Sequence, residues 1–285
     1  MPWVPGVEHG YVDVDGLLMH AAEAGEGDPI VLLHGWPRHW YLWRDLIPQL
    51  ATDRRVICPD LRGFGWTEAP AGGYGKDQLA TDVLGLLDRL GVDRFDLVGH
   101  DWGAYTGFLI ALREPARVKY FLAMAMTHPW PEVAPLLRQQ WRFAYMALLD
   151  KPLASSLLLQ HVPRLVRTVL RAGVVDSNSW DPDELEIFVE RTRDPARAAA
   201  ASSLYRAFTI REALPLMRGR YRDSRLEVPT RLIVGAHDPA IRAEMLGGFE
   251  GHADDMSVEV VRDAGHFIVD EHPDLVLERI RDFMG

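Results

Sequence analysis

Short apolar runs rich in β-branched residues alternate along this chain with longer stretches of helical period. This alternation is expected when parallel strands are joined by crossover helices. An antiparallel pair should precede them, because Asp15-Gly16 forms a two-residue turn between Tyr11–Val14 and Leu17–His20. The sequence predicts an α/β fold, a mostly parallel central sheet with helices on both faces. The later strands are expected at Ile30–Leu33, Val56–Cys58, Phe95–Val98, Val118–Met124, Arg231–Val234 and Ser257–Val261.

The alternation stops between Pro129 and Pro229, where the chain offers no strand candidate and becomes rich in Leu, Ala and Arg. Helix starts are visible within this stretch. Asp181-Pro182 and Asp194-Pro195 each place an acidic N-cap before a proline at the first helical position. We interpret the stretch as an inserted helical cap, with residues 1–128 and 230–285 as the two parts of the core and residues 129–229 as the cap.

Composition narrows the possible partners. The chain has 285 residues and a net charge of −10, which disfavours nucleic acids and anionic membranes. No apolar run reaches the roughly 18 residues that span a bilayer, and residues 1–16 lack a secretion signal. A cytoplasmic protein without a membrane span is expected, either a monomer or a homodimer. The single cysteine, Cys58, lies in a predicted strand, and we expect no disulfide, no metal and no cofactor.

The segment Gly99-His-Asp-Trp-Gly103 lies between the predicted strand Phe95–Val98 and a helical stretch. Small residues two positions before and after a nucleophile permit the sharp strand-to-helix turn that exposes it. Asp101 at the centre is therefore predicted to be a nucleophile, although an aspartate at this place could also serve only as a helix N-cap. A carboxylate nucleophile suits displacement at a saturated carbon, which forms an ester of the aspartate.

Hydrolysis of such an ester needs a base that activates water. His266 follows the last predicted strand and so lies at the carboxyl edge of the sheet, where open α/β folds place their sites. Asp238 follows another strand at the same edge and is predicted to orient His266, whether or not it also caps the helix that Pro239 opens. The order Asp101, Asp238, His266 is the chain order of nucleophile, acid and base in hydrolases of this architecture.

The tetrahedral intermediate on Asp101 needs two backbone N–H donors. His34-Gly-Trp-Pro37 directly follows the strand Ile30–Leu33. The expected donors are the amides of Trp36 and of Trp102, the residue after the nucleophile. The side chains expected to line the substrate pocket are His34, Trp36, Pro37, Trp102 and, from the cap, Trp141.

Several segments together resemble the α/β-hydrolase family and, within it, the epoxide hydrolases. They are His34–Pro37, Trp40–Arg44, Asp60–Gly65, Gly99–Gly103 and Ala264–Phe267. With the cap, the resemblance covers nearly the whole chain. It implies two cap tyrosines that hold the epoxide oxygen, a vicinal diol product and a small, mostly apolar epoxide as substrate. Tyr205 is similar to the second family tyrosine, and Tyr145 matches the first less closely.

Two alternatives remain open at this stage. Haloalkane dehalogenases share the Asp nucleophile, the His base and the tryptophan after the nucleophile, but typically carry an Asn where this chain has Trp36; Trp141 in the cap offers a substitute halide donor. Haloacid dehalogenases place arginines where Trp102 and Tyr105 stand here. A non-catalytic receptor built on the same fold would be expected to have a damaged triad, whereas all three residue types are present here.

Overall fold

The computed structural model describes residues 1–177 and 180–285. It contains one eight-stranded sheet with the strand order β1-β2-β4-β3-β5-β6-β7-β8. The pairs β1–β2 and β2–β4 are antiparallel and the remaining pairs are parallel. The strands are β1 Glu8–Val14, β2 Leu17–Ala24, β3 Asp28–Leu33, β4 Arg54–Pro59, β5 Phe95–His100, β6 Val118–Met124, β7 Thr230–Gly235 and β8 Met256–Val261. The predicted fold class is confirmed.

The antiparallel hairpin at the start of the sheet follows from its turn. Asp15 and Gly16 both have positive φ, 51° and 86°, and Val14 pairs directly with Leu17. Positive φ at both central residues gives the turn the handedness that matches the twist of the flanking strands. The predicted hairpin is therefore present, in the register that the two-residue turn requires.

Helices connect the strands and cover the sheet. The α-helices are α1 Ile47–Leu50, α2 Lys76–Arg89, α3 Trp102–Arg113, α4 Val133–Arg138, α5 Ala144–Leu149, α6 Pro152–His161, α7 Pro163–Ala172, α8 Pro182–Thr192, α9 Pro195–Ala207, α10 Ala213–Met217, α11 Ile268–Glu271 and α12 Pro273–Met284. Short 3-10 helices span Trp40–Trp43, Gln140–Phe143 and Ala243–Met245, and a π-helical turn spans Phe208–Glu212.

The chain between β6 and β7 is helical. Its described residues contain no strand, and only Leu226 makes an isolated bridge, to Ala253. The two predicted helix starts are present. Asp181 Oδ1 accepts bonds from the amides of Asp183 and Glu184, and Asp194 caps α9 in the same way. Helices α4 to α10 thus lie within the range predicted for the cap, while the exact domain boundaries stay a prediction.

The sheet and its covering helices form the hydrophobic core. The aliphatic residues of β3 from Ile30 to Leu33 are completely buried, as expected for a central parallel strand covered on both faces. Cys58 is buried in β4, and Trp40 and Trp43 are packed in the same core. Within residues 1–177 and 180–285, no helix combines the length and apolar character needed to cross a membrane.

Candidate active site

A strained turn places Asp101 at the carboxyl edge of the sheet. Asp101 joins β5 to α3 with φ 53° and ψ −127°, a conformation that costs a non-glycine residue about 1–3 kcal/mol. Its amide donates to the carbonyl of Met124 at 3.0 Å, which ties the turn to β6. A Cβ at Gly103 would lie 2.2 Å from the Leu33 carbonyl oxygen. Only glycine therefore allows α3 to begin this close to β3, as the spacing of small residues predicts.

The three predicted triad residues form a row in which His266 lies between Asp238 and Asp101. His266 Nδ1 is 2.8 Å from Asp238 Oδ2, and His266 Nε2 is 3.6 Å from Asp101 Oδ2. Asp238 is fully buried, and its Oδ1 accepts hydrogen bonds from the amides of Ala240 at 2.7 Å and Ile241 at 2.9 Å. One oxygen of Asp238 therefore caps the following turn and the other faces the histidine, so the two predicted roles are compatible.

The backbone of His266 is fixed from two sides. Its amide donates to the carbonyl of Gly173 at 2.6 Å, and its own carbonyl accepts from His100 Nε2 at 2.7 Å. Burial lowers the pKa of His100 to about 3, so this ring is a neutral donor. Sequence reasoning missed His100, because nothing in the chain indicates a partner so distant in sequence.

The charge of His266 is set by its neighbours. Burial alone lowers the pKa of this imidazole, but the carboxylates of Asp238 and Asp101 act in the opposite direction and raise it to about 10. An imidazolium between two carboxylates is favoured because each opposite charge within hydrogen-bonding reach stabilises the charged form. In the resting protein His266 is therefore protonated at neutral pH.

This pKa predicts a pH dependence of stability. The pKa of His266 rises from an unfolded value near 6.5 to about 10 in the folded protein, so its contribution is fully present below pH 6.5 and is lost as the pH rises towards 10. We expect the free energy of unfolding to fall more steeply across this window in the wild type than in His266→Gln. Urea titrations of both proteins at several pH values measure the difference. If the free energy of unfolding changes with pH equally in both proteins, the raised pKa of His266 is contradicted.

The turn after β3 holds the second oxygen of Asp101. The Trp36 amide donates to Asp101 Oδ1 at 2.9 Å, and a Cβ at Gly35 would lie only 2.2 Å from the same oxygen. Trp102 is the first residue of α3, so its amide lacks an acceptor within the helix. The two amides expected to stabilise an oxyanion thus belong to two neighbouring segments, the turn after β3 and the start of α3. Oδ1 accepts from the Trp36 amide, while Oδ2 faces His266.

Two cavities meet above Asp101, one of about 510 Å³ and one of about 200 Å³. Asp101, Tyr145 and His266 line both. Apolar side chains dominate the larger cavity, among them Leu136, Phe143, Met146, Phe208, Leu216 and Ile241. An apolar cavity with a few convergent polar groups is the usual form of a small-molecule site.

The two cap tyrosines lie against each other at this junction. The ring centroids of Tyr145 and Tyr205 are 5.9 Å apart, with the planes nearly perpendicular at 80°. Tyr205 is buried between the indoles of Trp36 and Trp102, whereas Tyr145 keeps 37% of its surface accessible and lines both cavities. Burial raises the pKa of both phenols. Both hydroxyls therefore stay protonated and able to donate.

Three of the predicted pocket residues lie elsewhere. His34 is buried beneath the turn, where its Nε2 accepts from the Leu61 amide at 3.0 Å. Pro37 lines neither of the two cavities, and Trp141 is 65% exposed on the outside of the cap. The prediction failed for these three because proximity to Trp36 or to the cap does not determine side-chain direction. Trp36 lines the smaller cavity and Trp102 the larger.

Most of the apolar lining was not predicted. Leu136, Met146, Phe208 and Leu216 come from cap segments whose hydrophobic residues also pack within the cap. Their spacing is the same whether they face a cavity or a neighbouring helix. No signal in the sequence could have separated the two.

Residues 28–273 match the alpha/beta hydrolase fold family. With the strand-to-helix elbow and the eight-stranded sheet already described, this match covers most of the chain. The protein belongs to the α/β-hydrolase fold family.

Within this fold family, the chain is similar to proteins named epoxide hydrolases. A 105-residue stretch, 37% of this chain and 37% of the relative, is 48% identical to the soluble epoxide hydrolase of Corynebacterium sp. (strain C12). Epoxide hydrolase 3 of Siraitia grosvenorii is 30% identical over 98% of both chains. The solved structure of the epoxide hydrolase CorEH without ligand superposes with a TM-score of 0.85 and 27% identity, covering 97% of this chain and 98% of the other. The predicted resemblance to epoxide hydrolases is confirmed.

Proposed function

We propose that the protein is an epoxide hydrolase that converts a small, mostly apolar epoxide to a vicinal diol. The observation that carries this proposal is the pair of protonated phenols, Tyr145 and Tyr205, that line the same cavity as the carboxylate of Asp101. An epoxide opens readily when a nucleophile attacks its carbon while donors on the other side stabilise the developing alkoxide. A carboxylate opposite two phenols supplies both requirements.

In the first step Asp101 Oδ2 attacks an epoxide carbon. The choice of Oδ2 follows from the Trp36 amide, which occupies Oδ1 at 2.9 Å. The carbon–oxygen bond of the ring breaks as the bond to Oδ2 forms, and a phenol of the tyrosine pair gives its proton to the alkoxide. The product is a hydroxyalkyl ester of Asp101.

In the second step His266 activates water. The carboxylate of Asp101 is one of the two charges that raise the pKa of His266, and esterification removes that charge. The pKa of His266 then falls, and the proton that the imidazolium releases restores the phenol deprotonated in the first step. The neutral imidazole can then take a proton from water while Asp238 stabilises the imidazolium. Water attacks the Asp101 carbonyl carbon, and the negative charge forms on Oδ1 near the Trp36 and Trp102 amides. The Cγ–Oδ2 bond then breaks and the departing alkoxide takes the second proton of the water. The diol leaves with Oδ2, and the Asp101 carboxylate and the His266 imidazolium are restored.

The helical segment serves as the cap of this site. Residues 129–229 contain both tyrosines and Gly173, whose carbonyl holds the amide of His266. We propose the division into core residues 1–128 and 230–285 and cap residues 129–229 on this basis. The substrate would be enclosed between the two parts, which excludes bulk water from the ester.

A single turnover in ¹⁸O-labelled water tests the scheme. The purified protein in excess over styrene oxide should release diol without label, because the oxygen from water enters the Asp101 carboxyl group. Repeated turnover should then move the label from Asp101 into later diol molecules. Label in the diol of the first turnover would show direct attack of water on the epoxide and would contradict the ester intermediate.

A second candidate function, haloalkane dehalogenation, has one observation in its favour. The indole nitrogens of Trp36 and Trp102 are buried and make no hydrogen bond within the described residues. Two neutral N–H donors beside the nucleophile could hold a leaving halide. Chloride release from 1-chlorobutane, measured alongside diol formation, separates the candidates. If neither diol nor chloride forms from a broad panel of epoxides and haloalkanes, a non-catalytic receptor built on this fold is favoured.

A further inference from the structure

A buried lysine lies against the indole of Trp102, the residue that follows Asp101. Lys76, the first residue of α2, is only 1% exposed. Its ammonium group is 4.3 Å from the centre of the Trp102 ring and 5.4 Å from that of Phe208. Burying an ammonium group is costly unless it is paired, and a positive charge at a helix N-terminus opposes the helix dipole. Such local conflicts are expected at functional positions.

The polar partners of Lys76 lie in α9, which carries Tyr205, and in the π-helical turn that follows it. Its Nζ donates to the carbonyl of Leu204 at 2.9 Å and is 3.4 Å from Glu212 Oε2. Glu212 Oε1 accepts the Lys76 amide at 2.8 Å, so one carboxylate caps α2 and balances the ammonium group. Leu204 precedes Tyr205 in α9, and the helical chain continues into the π-helical turn that contains Glu212, so Lys76 contacts this helix at two places.

The contacts form a continuous path from Lys76 to the phenol of Tyr205. The ammonium group covers the face of the Trp102 indole, and the Tyr205 ring stands edge-on to that indole at 5.8 Å between centroids. A cation over an indole attracts the ring electrostatically and so fixes its position. Lys76 thereby touches two of the neighbours that set the place of Tyr205, its helix and the Trp102 indole.

We propose that Lys76 is a positioning residue for ring opening, whose charged ammonium group holds the Trp102 indole and the end of α9 so that the Tyr205 hydroxyl stays directed at the epoxide oxygen. This inference rests on the proposed function. The second step depends on His266, Asp238 and the backbone amides of Trp36 and Trp102, whereas Lys76 contacts Trp102 at its indole ring. The two steps should therefore respond differently to its loss.

Stopped-flow measurement of tryptophan fluorescence under single-turnover conditions with styrene oxide follows alkylation and ester hydrolysis separately. We expect Lys76→Met to slow alkylation about tenfold, less than the roughly 10²-fold loss that a 1 Å misplacement of a reacting group can cause. Hydrolysis of the ester should change by no more than about twofold. Lys119→Met is the matched control, because Lys119 is paired with Asp28 at the opposite edge of the sheet and should leave both rates unchanged.

A pH profile separates positioning by charge from a merely structural contact. Burial lowers the pKa of Lys76 to about 8, against the effects of Glu212 and Asp101, the charged groups that face it. Alkylation by the wild type should therefore decline as the pH rises through about 8, whereas the slower alkylation by Lys76→Met should show no such decline. Lys76→Arg, which stays charged, should move the decline to higher pH.

Glu212→Gln keeps an acceptor for the Lys76 amide but removes the charge that raises the lysine pKa. We expect this variant to shift the decline in alkylation to lower pH. If Lys76→Met does not fold, this shift alone tests whether the charge of Lys76 supports alkylation. Equal alkylation rates in wild type and Lys76→Met, equal slowing of both steps, or an unshifted profile in Glu212→Gln would each overturn the role of Lys76. If the wild type forms no ester at all, the proposed function fails and this inference falls with it.

Discussion

Replacing His266 by Gln should leave the protein alkylated on Asp101. Glutamine cannot take a proton from water, but the attack of Asp101 Oδ2 on the epoxide does not require the imidazole. We expect kcat to fall by about 10³-fold or more, as it does when a member of a catalytic triad is lost. Mass spectrometry after exposure to styrene oxide should find the adduct on the peptide that contains Asp101.

The control for this experiment is His272→Gln. His272 also lies near the carboxyl edge of the sheet, but its Nε2 donates to the Asp263 carbonyl at 3.0 Å and faces neither cavity. This variant should turn over epoxide at the wild-type rate without accumulating ester. A folded His266→Gln variant that carries no adduct, beside an active wild type, would contradict the two-step scheme.

Loss of the tyrosine hydroxyls should slow ring opening rather than hydrolysis of the ester. With Tyr205→Phe or Tyr145→Phe, one donor to the developing alkoxide is lost, and we expect alkylation to slow by about 10²-fold, the usual effect of removing one such donor. The double variant should show no measurable ring opening. Ester hydrolysis should change little, because the proposed second step uses His266, Asp238 and backbone amides rather than the phenols. Rapid-quench measurement of both steps checks this division.

Tyr221→Phe is the matched control for these variants. Tyr221 also lies between β6 and β7, is half-buried like much of that segment, and lines neither cavity. Its replacement should leave both rates unchanged. Full alkylation rates in Tyr145→Phe and Tyr205→Phe would show that the phenols are packing residues, and any chloride release that survives in both would favour dehalogenation.

The strands show why so much of the fold was predictable. Every predicted strand is present, with ends that differ by at most four residues, because a buried parallel strand needs a continuous apolar run and a crossover helix needs its own period. The elbow was predictable for a similar reason. Gly99 and Gly103 lie where a Cβ would collide with the neighbouring backbone. The turn therefore requires glycine at both positions, and this requirement is visible in the sequence.

The cavity lining could not be predicted in the same way. His34 and Trp36 are two residues apart, yet only Trp36 lines a cavity. Trp141 and Tyr145 are four residues apart in the cap, and only Tyr145 faces Asp101. Side-chain direction in such irregular or short helical segments depends on which neighbours the cap packs against, and the sequence does not record that packing.

The sequence by itself determined the class of fold, the position of the helical insertion and the candidates Asp101, Asp238 and His266, because backbone geometry restricts the residue types allowed at each of these places. Only the tertiary structure decided how charges and donors converge. The raised pKa of His266, the facing phenols of Tyr145 and Tyr205, and the contact of Lys76 with Leu204 all join segments far apart in the chain. Electrostatic and packing interactions depend on distance in space, which no local pattern of residues encodes.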